Sequence, residues 1–351
     1  MISMEKYLES YKDKKILVTG GAGAVGSFLV KKLLELGSFV IVLDNLSSGY
    51  VWNLPNDGNL LFIEGDVTND IDLKRVFSEE PEIIFHLAAF FANQNSVDYP
   101  ETDLNTNGFG TLKLLEYSKI YNKLKRFVYA SSGCSIYPSD AEMPYKEELT
   151  NMYMTTPYQI TKMLGELYCN YYWKIQKVPV VKARFFNSFG PGEVPGQYRN
   201  VIPNFIFWAK LGLSLPITGT GEETRDFTYV GDIVDGLLRM GYFEEAIGEE
   251  INLAAGREVK ILHLAELVNK LVGNEAGIEF KPRRKWDTKL RMLASNEKAK
   301  KILGFNPNPD FDGCLKKTIK WFEENWEDIK KSADFPPGMS SAVRNRSGKS
   351  S

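Results

Sequence analysis

Two side chains one helical turn apart, Tyr158 and Lys162, carry the clearest catalytic signal in this chain. They open a run that follows Pro157, and their i, i+4 spacing puts both on one face of a helix. A phenol titrates near ~10, too high for a base at neutral pH, but a neighbouring ammonium favours the phenolate and lowers that value. So placed, the pair can take a proton from a hydroxyl group. Two unrelated surface residues are the alternative at this spacing. Upstream, an apolar run from Arg126 ends in Ala130-Ser131-Ser132. A serine there can hydrogen-bond a substrate oxygen and relay its proton to Tyr158; a serine-rich turn is the alternative.

A second constellation lies near the N-terminus. Ile16-Leu17-Val18-Thr19 runs into Gly20, Gly23 and Gly26, with Ala24 and Val25 opening an apolar helical stretch. Glycines let the backbone turn sharply and approach a pyrophosphate, and a helix N-terminus offers free N–H groups to phosphate oxygens. Asp44 ends the next apolar run, Phe39 to Leu43, roughly 20 residues past the turn, where a carboxylate can accept hydrogen bonds from a ribose diol. Its charge repels a 2′-phosphate, so the expected cofactor is NAD rather than NADP. An ordinary tight turn would explain the glycines alone, but not the strand, helix and terminal acid in register.

Alternating strands and helices must position these groups. Candidate strands are Lys15–Val18, Phe39–Leu43, Leu60–Glu64, Ile83–Leu87, Arg126–Ala130 and Val180–Arg184, with helices over Gly26–Leu36, Ile71–Ser78, Asp103–Asn122 and Tyr158–Lys174 between them. The strand runs are apolar on both faces, as buried parallel strands are. This predicts an α/β fold, a doubly wound parallel sheet of six or seven strands. Beyond it a smaller α+β C-terminal lobe is expected, with helices over Val201–Leu211, Ile261–Val272, Asn296–Leu303 and Gly313–Lys330. The expected division is 1–187 for the dinucleotide domain, interleaved with a substrate lobe over 188–330, then a disordered tail over 331–351. Met1 to Lys15 carries charge throughout, lacks a signal-peptide core and reads as a short surface helix.

Composition excludes other classes. The 351 residues are 43% hydrophobic and 25% charged, with a formal net charge of −2, so no basic field draws nucleic acid or anionic lipid. No apolar run approaches the ~20 residues of a membrane span. Three cysteines, Cys134, Cys169 and Cys314, are too few and too scattered for a disulfide framework, which fits a reducing cytoplasm. With only two histidines, His86 and His263, no metal site is expected.

The motifs in order resemble an extended short-chain dehydrogenase/reductase of the nucleotide-sugar epimerase/dehydratase family, over roughly residues 14–325. They are Thr19 to Gly26, Asp44-Asn45, Gly65-Asp66-Val67, His86-Leu87-Ala88-Ala89, Asn107 before Gly110-Thr111, Tyr158 with Lys162, Arg184 to Asn187, and Arg225-Asp226-Phe227. The resemblance implies a Rossmann fold in which Asp66 and Val67 flank the adenine and Leu87, Ala88 and Ala89 line the cofactor cleft. Asn45 belongs to the same cofactor set, and Asn107 supports the active-site helix. Ser132, Tyr158 and Lys162 form the catalytic set, and His86 reads as a structural strand-end residue. Asn187, Asn200, Arg225 and Arg284 hold the diphosphate of a nucleotide sugar, for which guanidinium forks suit in charge and geometry. Arg225 has its neighbour Asp226 as an alternative ion-pair partner, and Arg283 or Lys285 could replace Arg284.

Between Ser132 and Tyr137 the chain holds one residue more than is usual in this family. Counting from the strand makes Ser132 the catalytic hydroxyl; counting back from Tyr137 puts Gly133 there, with Ser135 two places on. No carboxylate occupies this turn, which disfavours dehydration and decarboxylation. The implied activity is a 4-epimerase that oxidises the sugar C4 hydroxyl to a transient ketone and re-reduces it from the other face. Net 4-dehydrogenation or 4-keto reduction is the alternative; a 3,5-epimerase using Cys134 and a silent nucleotide sensor are further ones. Met152, Tyr153 and Met154 suggest an adaptable apolar wall, or core filling. Surplus aromatics at Tyr168, Tyr171, Tyr172 and Trp173 imply a homodimer joined by a four-helix interface.

Overall fold

The computed structural model describes residues 4–335 apart from 122, 150, 151, 285, 286, 288 and 334. Seven strands form the central sheet: β1 Lys15–Thr19, β2 Phe39–Asp44, β3 Leu60–Glu64, β4 Ile83–His86, β5 Arg126–Ser132, β6 Val180–Phe185 and β7 Glu250–Leu253. Their order is β7-β6-β5-β4-β1-β2-β3, and every neighbouring pair is parallel. The order reverses between β4 and β1, which opens a crevice at the carboxyl ends of the strands, where ligands bind in such sheets. Both faces of the inner strands are buried, in keeping with their uninterrupted apolar runs.

Helices pack on the sheet and build the C-terminal half. They are α1 Met4–Glu9, α2 Ala24–Glu35, α3 Asp70–Ser78, α4 Thr111–Ile120, α5 Pro157–Lys174, α6 Val201–Lys210, α7 Val230–Tyr242, α8 Ile261–Val272 and α9 Phe311–Glu324. One core packs α2 and α7 against the sheet through Leu29, Leu33, Val234 and Leu237, and the opposite face buries Leu73, Leu114, Leu115 and Cys169. A separate core gathers Phe205, Trp208, Leu264 and Phe322 in the C-terminal half. Between 188 and 330 the chain therefore alternates: α7 and β7 complete the sheet layer, while α6, α8 and α9 build the second core.

Several elements differ from the sequence-based expectation. The helix expected over Asp103–Asn122 is broken by a π-helical stretch, Leu104–Gly110, that turns Asn107 inward. Its amide brackets the main chain of Phe90, and Thr111 Oγ1 donates to the Asn107 carbonyl. The helix expected over Gly313–Lys330 is two, parted at Asn325. Helix α7 was not foreseen. The N-terminal helix is docked rather than superficial: Tyr7 bonds Asp235, and Tyr11 donates to the Leu238 carbonyl at 2.5 Å. Met152 and Tyr153 stand in solvent and form neither wall nor core. Of the aromatics on α5, Tyr172 is buried within the chain and Trp173 packs on Gly248. The exposed apolar stripe is instead Ile160, Leu167 and Tyr171, beside Leu104 and Phe109. Lys331 and Ser332 end a helix; the expected tail from 336 on lies outside the described residues.

Candidate active site

The turn after β1 explains the first glycine cluster. Gly20 has φ +70°, and a Cβ there would lie 2.7 Å from the Ala88 nitrogen. A Cβ on Gly26 would sit 2.1 Å from the Gly20 carbonyl oxygen, so only glycine lets α2 start this close to β1. Gly23 precedes α2 without a side-chain cap, which leaves the helix N–H groups open to the cleft beside Ala24 and Val25. This is a cradle shaped for a pyrophosphate.

At the end of β2, Asp44 accepts from the backbone N–H of Ala22 at 2.9 Å and of Leu46 at 2.8 Å. Burial pushes its carboxyl up, against those two bonds and the charge of Arg199. Asn45 lines the cleft and donates to Asp66 at 2.7 Å. The Asp66 carboxylate also accepts from the Thr68 N–H and hydroxyl; these bonds outweigh the upward push of burial and hold its pKa low. Asp66 is thus turned into its own loop, while Gly65 and Val67 on either side line the cleft with Leu87, Ala88 and Ala89. The glycine cradle and Asp44, each of whose carboxylate oxygens accepts one backbone bond and keeps a lone pair, fit a dinucleotide, with Asp44 at the place of a ribose diol.

Tyr158, Lys162 and Ser132 come together on the same cleft. The Lys162 Nζ donates to the Ala130 carbonyl at 2.9 Å and stands 5.7 Å from the centre of the Tyr158 ring. The Tyr158 N–H is fixed by Ser96 Oγ at 3.0 Å, and Phe91 meets its ring edge-on. Burial pushes the Tyr158 phenol up, and the hydrogen bond with Ser132 works against that. The expectation that Lys162 lowers the phenol's pKa is therefore not met by the chain alone. Burial disfavours both charges at once and presses Lys162 down to about 8, with Asp103 opposing the fall. Asp103 is wholly buried and accepts from Thr161 Oγ1 at 2.7 Å and Asn107 at 2.8 Å.

The extra residue after Ser132 is absorbed by a single helical turn, Gly133–Ile136. A Cβ on Gly133 would lie 2.1 Å from the Phe186 ring, so that position carries no side chain into the cleft. Ser132 and Ser135 both reach it, joined Oγ to Oγ at 2.9 Å, with Cys134 Sγ at 3.4 Å from Ser132. Behind them Glu166 of α5 accepts from Ser131 and, bidentately, from Arg184, which also donates to the Tyr137 hydroxyl. This buried pair fastens the turn to the helix bearing Tyr158 and Lys162. His86 bridges Thr19 at 2.8 Å and Thr111 at 2.9 Å; burial drives its pKa down to about 3, so it is a neutral tie between elements.

The far wall holds the remaining candidates. Asn187 lines the cleft with its Oδ1 buried and without a hydrogen-bond partner among the described residues. Asn200 precedes α6 and donates to Glu193, whose carboxyl burial raises to about 7. Arg225 turns into the cleft and meets Asp287 at 3.2 Å. Asp226 points elsewhere and accepts from the backbone of Ala255, Gly256 and Ala294, which removes the neighbouring ion pair as a reading of Arg225. Arg284 also lines the cleft, with burial opposing its charge; Lys285 lies outside the described residues. Sequence reasoning missed Glu193, Asp287 and Lys289 on these walls. Lone charged residues in irregular segments give no periodic signal by which to find them.

One cleft thus joins a dinucleotide cradle, a phenol–ammonium–hydroxyl set and the guanidinium groups of Arg199, Arg225 and Arg284. The profile of a family described as the NAD dependent epimerase/dehydratase family matches residues 16–254. A solved epimerase of Methanothermobacter thermautotrophicus is 53% identical with a TM-score of 0.93, covering 94% of this chain and 98% of that one. The enzyme WbmF of Bordetella bronchiseptica, solved with NAD+ and UDP, is 36% identical with a TM-score of 0.80, covering 92% and 96%. A curated UDP-glucose 4-epimerase of Mycolicibacterium smegmatis is 33% identical over 312 residues, 88% of this chain and 98% of that protein. The chain belongs to the NAD-dependent epimerase/dehydratase family, an enzyme of the extended short-chain dehydrogenase/reductase class that uses NAD.

Proposed function

We propose that the protein is a UDP-sugar 4-epimerase. The observation that supports this reading is that Tyr158, Ser132, the glycine cradle, Arg225 and Arg284 all line one cleft. The four residues Asn187, Asn200, Arg225 and Arg284 bind the UDP diphosphate, the guanidinium groups by charge and the asparagines by hydrogen bonds. Gly20, Gly23, Ala24, Val25, Gly26, Asp44, Asn45, Val67, Leu87, Ala88 and Ala89 hold the cofactor, with Asp66 bracing Asn45. NAD, when bound, accepts the hydride of the sugar carbinol and returns it.

The chain's own part is proton transfer. Tyr158 takes the proton of the sugar 4-hydroxyl, directly or through Ser132, and gives it back after re-reduction. Lys162, anchored on Ala130, supplies the positive charge that the forming phenolate needs in a buried site. A turn of Gly133, Cys134, Ser135 and Ile136 offers no carboxylate to protonate a leaving hydroxyl, which supports epimerisation over dehydration. In this reading residues up to 187 chiefly serve the dinucleotide and 188–330 the nucleotide sugar, with α7 and β7 completing the sheet. Two copies pair through the Ile160, Leu167 and Tyr171 stripe of α5, forming a four-helix homodimer with the segment carrying Leu104 and Phe109. Free thiols at Cys134, Cys169 and Cys314 suit the cytoplasm.

The test is incubation of purified protein with UDP-hexoses and UDP-uronates, following product stereochemistry and nicotinamide absorbance together. A C4 isomer formed without accumulating NADH supports the reading. Stoichiometric NADH with a released ketone contradicts it in favour of net oxidation.

A further inference from the structure

Lys289 is a cleft residue to which the proton relay gives no task. It is 8% exposed, and its Nζ donates to the carbonyl oxygens of Cys134 at 2.8 Å and Ser135 at 3.4 Å. No carboxylate of the described residues lies within 4 Å of it. The nearby Asp287 is engaged by Arg225 at 3.2 Å and Arg283 at 3.7 Å. An ammonium has three donors, and two neutral carbonyls anchor it without cancelling its charge. A buried cation with no anion in contact is costly: burial presses Lys289 down to about 8, the charge of Arg225 adds to the fall and that of Asp287 opposes it.

Its position says where the missing anion belongs. The carbonyls that hold Lys289 follow Ser132 directly, and Ser132 is bonded to Ser135 within that turn. The ammonium therefore stands at the catalytic end of the cleft, beside the hydroxyl that faces the reacting carbinol. Of the acidic residues on the cleft, Asp287 is the one whose charge reaches Lys289, and Arg225 and Arg283 already pair with it. The diphosphate has its own cations in Arg225 and Arg284.

We propose that Lys289 reads a carboxylate on the sugar ring, so that the site prefers nucleoside diphosphate uronates to neutral hexoses. This rests on the 4-epimerase reading above and deepens it. An ion pair with bound substrate would supply the charge that the fold withholds from Lys289.

The experiment measures kcat/KM for UDP-glucuronate and for UDP-glucose on the full chain with NAD, in the wild type, Lys289→Met and Lys289→Arg. The wild type is expected to favour the uronate at least ~10-fold. That ratio should fall ~10-fold or more in Lys289→Met and recover in Lys289→Arg, because the ion pair is strong only when the cation is present. Cofactor retention checks folding of each variant. A wild type that isomerises UDP-glucose as readily as the uronate overturns this inference alone, as does a ratio unmoved by Lys289→Met. Turnover of neither sugar overturns the 4-epimerase reading and this inference with it. Should Lys289→Met fail to hold cofactor, the wild-type ratio decides on its own.

Discussion

Lys162 reaches across from α5 to donate its Nζ to the carbonyl of Ala130 at 2.9 Å. That one bond ties the helix carrying Tyr158 to the strand that ends in Ser132, two residues beyond Ala130. The groups proposed to move the proton are thus registered against each other by the main chain of β5, not by a flexible loop. Glu166, one turn further along α5, repeats the tie through Ser131 and Arg184.

Arg225 is expected to act on binding more than on chemistry. Arg225→Met removes a charged hydrogen-bond donor worth about 1.5–3 kcal/mol, so KM for a UDP-sugar should rise roughly 10- to 100-fold with a smaller change in kcat. A kcat loss with unaltered KM, measured by steady-state kinetics, would place Arg225 in the chemical step instead.

His86 links stability to acid. Its folded pKa of about 3 lies below the unfolded value near ~6.5, so its contribution is full above the unfolded value and is lost as pH falls through this window. The unfolded state binds the extra proton, which costs the fold about 1.4 kcal/mol per pH unit below the unfolded pKa. His86→Gln cannot titrate. The stability difference between wild type and variant, from urea unfolding, should shift by about 2 kcal/mol against the wild type between pH 7.5 and pH 5. A difference that stays constant over that range contradicts the buried neutral imidazole.

Leu167 is exposed at 58% in the middle of the α5 stripe, where a single chain gains nothing from a leucine. Leu167→Glu should leave the monomer fold intact and move sedimentation from dimer to monomer. An unchanged sedimentation coefficient, whether monomeric or dimeric in both proteins, removes this face as the interface.

Much of this was legible in the chain. Strands buried on both faces announce themselves as runs apolar on both faces, so β1 to β6 fall within a residue or two of expectation. Gly20, Gly23, Gly26 and Asp44 are legible because tight backbone approach leaves few residue choices. Tyr158 and Lys162 are legible because helical spacing is fixed. Helix α7 escaped because it follows the irregular Gly- and Thr-rich stretch before Tyr229, which masks its apolar period. The π-helical turn at Asn107 depends on contacts with Phe90, far from it in sequence. Lys289 and Glu193 escaped for a related reason: their role comes from burial, and burial of a lone charge in a loop leaves no local pattern. The lowering of the Tyr158 pKa was expected from Lys162 together with the positive nicotinamide ring; the chain alone supplies only the first, and burial acts against it.

The most direct measurement is UDP-sugar interconversion by Tyr158→Phe alongside its NAD content. The phenylalanine keeps the ring that packs against Phe91 and loses only the hydroxyl, so the variant should retain NAD and melt near the wild type. Its kcat should fall by about 10² to 10⁴. A cofactor-loaded Tyr158→Phe that turns over within a few-fold of the wild type would contradict the assignment of the proton to this phenol.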